Sequence, residues 1–165
     1  MTALWDTSVA SRVQPGSDAL AYVLARLAAG EPVSVAAPAI VEIVFGLQRQ
    51  ADPRLTALSG WLAGLLDDGT LAVVPFGGRA GFIAGHVRAE LPYAPPDRRD
   101  RRDRRSKTMR QAAWLLDIQI AATAFAAGLD VVTRNRGDFE VIAEVLRALY
   151  PAAPPLAVVD SPFAA

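Results

Sequence analysis

Three carboxylates stand out because their neighbours are apolar. Asp6 closes the run Ala3-Leu4-Trp5 and opens Asp6-Thr7-Ser8-Val9. Glu42 lies inside Ile40-Val41-Glu42-Ile43-Val44-Phe45, and Asp117 interrupts Trp114-Leu115-Leu116-Asp117-Ile118-Gln119-Ile120. A carboxylate in such company is costly to bury unless it is paired, hydrogen-bonded or bound to a cation. Ala121 and Ala124 follow Asp117 at helical spacing, so Asp117 shares a small-residue face and reads as a helix start aimed into a cleft. A further polar cluster, Arg134-Asn135-Arg136-Gly137-Asp138, follows the apolar run that ends at Thr133. Cysteine is absent and His86 is the sole histidine, so the available ligands are oxygens. Oxygen sets suit a hard cation, Mg²⁺ or Mn²⁺. Held by a few carboxylates, such a cation can activate water and neutralise charge on a phosphoryl group. Each acid also has an ordinary reading: Asp6 as a helix cap, Glu42 on a solvent face, Asp117 favouring a helix dipole.

The elements that must position these residues alternate in type. Short strands are expected at residues 3–6, 32–36, 71–76, 129–133 and 156–160, from brief apolar runs bounded by turn formers. Helices are expected at 19–29, from Pro38 onward, and at 53–66, 79–91, 112–127 and 141–149. Thr7 or Ser8 is expected to cap a turn after the first strand. Strands alternating with helices make an α/β fold with a parallel sheet of about five strands flanked by helices. Ligands in such sheets sit at the carboxyl ends of the strands, where Asp6, Asn135 and Asp138 fall.

Four stretches together resemble the PIN-domain pattern, and more narrowly the VapC-type toxins of bacterial toxin–antitoxin pairs. They are Leu4-Trp5-Asp6-Thr7-Ser8-Val9, Glu42 to Leu47, Asp117 to Ala124 and Val131 to Phe139, in order and across nearly the whole chain. The resemblance implies a PIN-like sheet whose acids gather Mg²⁺ or Mn²⁺ and hydrolyse RNA. It places the family's first three acids at Asp6, Glu42 and Asp117, with Ser8 or Thr133 in support. Asn135 stands where many members have Asp. Its carbonyl can still serve a metal or its water, and Asp138 is the alternative. The resemblance further implies a cognate antitoxin and a homodimer.

Length and composition fit this reading. The 165 residues suit one domain, 1–165, with a hydrophobic core. No apolar run is long enough to span a bilayer and no secretory signal is evident, so the expected location is the cytoplasm. The net charge of zero conceals a segregation: residues 97–110 hold eight basic residues against three acids, and the remainder nine against fourteen. The basic part is a loop or insertion near 92–110 built on a repeated Asp-Arg-Arg unit. Arg98, Arg101, Arg105 and Arg134 are candidates for gripping an RNA backbone. The alternative is a solvated, internally paired charged segment. His86 reads as structural. A catalytically weak PIN-like module that binds RNA or protein is the competing function. An Asp6-nucleophile phosphatase is disfavoured, because Ser8 occupies the place of the usual second Asp.

Overall fold

The computed structural model describes residues 3–50, 52–94 and 106–163. Five parallel strands form one sheet: β1 (Ala3–Trp5), β2 (Val33–Ala36), β3 (Leu71–Val74), β4 (Asp130–Thr133) and β5 (Val158–Asp160). Their order is β3-β2-β1-β4-β5. Among the described residues seven helices surround the sheet: α1 (Thr7–Ala10), α2 (Asp18–Ala28), α3 (Ala37–Gln48), α4 (Pro53–Asp67), α5 (Gly78–Glu90), α6 (Lys107–Ala127) and α7 (Arg136–Leu149). The expected α/β class and strand number are therefore observed.

The register explains the burial. Leu4 pairs with Val131, and Trp5 with Val132. Trp5 stacks on Tyr22 of α2, so Trp5 and Val132 share the α2 face of the sheet. Leu4 and Val131 face the other way, and both are fully buried. Ile118 and Ile120 of α6 and Phe139 and Ile142 of α7 are equally buried. Each such side chain contributes about 1.5–3 kcal/mol relative to exposure. Both faces of β2 are covered, which is why Val33-Ser34-Val35-Ala36 reads as a continuous rather than alternating run.

The chain moves outward from β1 through β2 to β3, then crosses to β4 on the opposite side of β1. The connections after β1 and β4 consequently diverge, and a crevice opens at their carboxyl ends. Asp6 extends this junction, since its backbone N–H donates to the Val132 carbonyl at 3.1 Å.

Two helix starts differ from expectation. Helix α6 begins at Lys107 rather than 112, capped by Ser106, whose Oγ accepts from the Met109 N–H at 3.2 Å. Asp117 therefore sits mid-helix and neither starts α6 nor meets its positive end. Helix α7 begins at Arg136 rather than 141, which puts Asp138 in a first helical turn. The cause in both cases is a polar first turn that carries no apolar period; α6 starts on its Ser106 cap, whereas α7 has no side-chain cap and is helical through the packing of its later turns.

Candidate active site

The site begins with a cap. Asp6 is the N-cap of α1, and its Oδ1 accepts the Val9 N–H at 3.1 Å. Capping thus falls to Asp6 itself rather than to Thr7 or Ser8. Ser8 Oγ donates to the same Oδ1 at 2.8 Å, and Thr133 Oγ1 donates to Oδ2 at 2.8 Å. Asp6 as a residue is only 2% exposed. Burial pushes its pKa above the ordinary carboxylate range; the three hydrogen bonds oppose that, and the charge of Glu42 adds to it.

Both supporting hydroxyls are themselves held by the loop after β4. Ser8 Oγ accepts the Arg134 N–H at 2.9 Å, and Thr133 Oγ1 accepts the Asn135 N–H at 2.8 Å. Two consecutive backbone amides thus reach Asp6 through one hydroxyl each. Ser8 and Thr133, the two hydroxyls singled out in the sequence, thus both donate to Asp6.

Asn135 carries the network onward. Its Nδ2 donates to Asp138 Oδ2 at 2.7 Å and to Asp117 Oδ2 at 3.3 Å. Asp117 and Asp138 are half-buried. An unbroken path therefore runs from Asp6 through Thr133 and Asn135 to Asp117. Glu42 is half-buried on α3 and close enough for its charge to act on Asp6. Asp6, Asn135 and Asp117 are thus linked by hydrogen bonds, and Glu42 acts on Asp6 through its charge. Among the described residues, no three carboxylate or imidazole groups form a ready metal shell. The donor set nevertheless fits a hard cation: it is all oxygen, and its central carboxylate is buried beside a second negative charge.

The comparisons with known proteins agree with this fold. A model of the PIN domain matches residues 3–145. The chain belongs to the PIN-domain family. No curated protein matches it. Among solved structures, this PIN domain resembles a chain of VapBC2 from Rickettsia felis bound to a promoter DNA fragment. The two share 17% identity over 97% of this chain and 98% of that one, with a TM-score of 0.59. DNA-bound VapBC from Salmonella typhimurium gives 19% identity, the same coverages and a TM-score of 0.60. FitAcB from Neisseria gonorrhoeae gives 21%, 96% of each chain and 0.54.

The PIN fold also locates the remaining candidates. Arg134 is exposed immediately beside Ser8. Arg98, Arg101 and Arg105 lie outside the described residues. Their flanks are tied together, because Gln111 Nε2 donates to the Pro92 carbonyl at 2.8 Å and Trp114 Nε1 to that of Leu91 at 3.1 Å. His86 is away from the crevice, hydrogen-bonded through Nδ1 to Tyr150 Oη at 2.9 Å. Sequence reasoning missed the Val9 amide and the Asn135–Asp138 pair. The second had a signal, since residues three apart at a helix start are neighbours.

Proposed function

We propose that this PIN-domain chain is a metal-dependent endoribonuclease acting as the toxin of a toxin–antitoxin pair. One observation carries the reading: a buried carboxylate, Asp6, is fixed at the sheet's switch-point crevice and linked through Thr133 and Asn135 to Asp117. Asp6, Glu42 and Asp117 would hold Mg²⁺ or Mn²⁺, with Asn135 completing or orienting the shell. When bound, the cation neutralises phosphoryl charge and lowers the pKa of water for in-line attack. Ser8, Thr133 and the Val9 amide keep Asp6 in one rotamer, so its free lone pairs point the same way before and during reaction. Asp138 supports the shell through Asn135.

Substrate and partners follow from the same geometry. Helix α6 has 21 residues, about 31 Å at 1.5 Å per residue, whereas a four-residue strand spans about 13 Å. Its first half, with Lys107 and Arg110, thus projects past the sheet edge on the site's side. Arg98, Arg101 and Arg105 precede it directly in sequence, which supports an RNA backbone reaching the crevice there. An open groove of about 470 Å³ between α1, α3 and α4 has Glu42 on one wall and Leu55, Leu58 and Trp61 on another. Thr7 also lines it, and the Thr7 hydroxyl is buried with no hydrogen-bond partner. The similar structures are toxin–antitoxin complexes, which supports an antitoxin segment in this groove. Phe82, 65% exposed on α5, suits a homodimer contact. No helix among the described residues is long and apolar enough to cross a membrane, and the reading takes the cytoplasm as its setting.

The neutral Asn135 favours one rival, a PIN module that binds RNA without cutting it. Incubating the pure protein with single-stranded and structured RNA separates the two. Cleavage in Mn²⁺ that is lost in EDTA and in Asp6→Asn supports the nuclease. Binding without cutting at every metal concentration overturns it.

A further inference from the structure

Asn135 meets two carboxylates with one amide. Both partners, Asp117 Oδ2 and Asp138 Oδ2, can only accept when ionised, so the end of the amide facing them is its nitrogen. The NH₂ group has two hydrogens, and these two contacts use both. The usual alternative for this side chain is not taken: Asn135 is the N-cap of α7, yet it makes no side-chain capping bond. Its backbone carbonyl accepts the Asp138 N–H at 3.1 Å instead. Its backbone N–H is fixed separately on Thr133 Oγ1, so the amide is anchored to the same hydroxyl that holds Asp6.

We propose that the Asn135 amide takes the place of a second cation between Asp117 and Asp138, so that the site is built for one divalent metal. This rests on the metal-site reading above. Two carboxylates that share a space repel unless a cation, a proton or hydrogen-bond donors lie between them. An amide supplies donors without net charge and without desolvating an ion. Asn135 is therefore a positioning residue: it aligns Asp117 for the metal and contributes no negative charge. Aspartate at the same position turns the bridge into a third carboxylate, and three carboxylates around one space recruit a hard cation.

The test is Mn²⁺ titration by calorimetry, with thermal unfolding in EDTA and in Mn²⁺, on the full chain. Wild type is expected to take up one equivalent. Asn135→Asp is expected to gain a second equivalent, or to bind the first about tenfold tighter or more. Its melting temperature should also rise further on adding Mn²⁺ than that of wild type. Aspartate caps helices well, so the metal-linked increment is the readout and not absolute stability. Asn135→Asp with Asp138→Asn restores one amide between two carboxylates and should return single-metal behaviour. Asn135→Ala should melt below wild type in EDTA and keep the wild-type stoichiometry, which tests the bridge even where the aspartate variant does not fold.

Two equivalents in wild type overturn the proposal, as does an Asn135→Asp titration matching wild type or an Asn135→Ala variant as stable as wild type in EDTA. One equivalent in both wild type and Asn135→Asp, at equal affinity, sinks the bridge and leaves the nuclease reading standing. Uptake by Asn135→Asp alone overturns the single-metal site together with the nuclease reading, and leaves only the amide bridge between Asp117 and Asp138.

Discussion

Two corners of the crevice hold their carboxylates by different means. At the Asp6 corner, one buried carboxylate accepts from a backbone amide and from two hydroxyls that are themselves anchored by backbone amides. These supports end on the main chain of α1 or of the β4–α7 junction, so the group has little freedom. At the Asp117 corner, two half-buried carboxylates on different helices both accept from the Asn135 side-chain amide, one contact short and one long. That tie runs between side chains. On the proposed reading the difference separates two roles: the Asp6 corner would decide whether a site exists, and the Asp117 corner how strongly and how many cations it holds.

The comparison breaks most readily at Asp6. Asp6→Asn should lower Mn²⁺-dependent RNA cleavage by more than about 100-fold, beyond the about 10–100-fold typical of supporting residues. Near-wild-type cleavage by this variant would show that the rigid corner is not the site. The same change should stabilise the metal-free protein. Burial raises the folded-state pKa of Asp6, so protonated Asp6 adds stability at low pH that is lost as pH rises through that raised value. In EDTA, Asp6→Asn should therefore melt above wild type at neutral pH, with the gap closing on acidification. Melting curves of both from about pH 4 to about pH 8 check the sign.

Next in size is Thr133→Val, which keeps the shape but removes the donor to Asp6 Oδ2 and the acceptor for the Asn135 amide. Cleavage should fall about 10–100-fold, measured at saturating Mn²⁺. Ser8→Ala should cost less, because the Val9 amide still serves Asp6 Oδ1. Equal losses from the two would remove the reason for ranking the hydroxyls. On the pH dependence of the metal-free protein a small effect is expected from Glu42→Gln, since its charge is the least of the influences on Asp6. The pH at which metal-free stability declines should move slightly downward, and an upward movement would contradict the placement of Glu42. The smallest is Arg134→Ala. RNA affinity should weaken similarly across sequences, with the salt slope shallower by about 0.7 for a single strand. An unchanged slope would remove Arg134 from the RNA path.

Much of this was legible in the residues. A short apolar run ending in Asp6-Thr7-Ser8 reads as a strand and a capped turn, and the strand, the capped turn and the polar corner are all observed. Of the acids embedded in apolar runs, Glu42 and Asp117 are half-buried, and Asp117 accepts from the Asn135 amide. The α7 start was hidden, because Arg136-Gly137-Asp138 shows no apolar period. Asp117 was misread as a helix start because the polar first turns of α6 resemble a loop.

By itself the sequence determined the element types, the oxygen-only chemistry and which carboxylates are too expensive to bury without a purpose. These are local properties, set by side-chain periodicity and by the solvation of charge. Only the tertiary structure decided the strand order, which puts β4 beside β1 and so brings Thr133 and Asn135 to Asp6 across about 127 positions of chain. It also decided that Asn135 presents its donor end to Asp117 and Asp138. Strand order follows from packing helices over both faces of the sheet, and an amide's orientation follows from what it meets there. Neither is written in any stretch of sequence read alone.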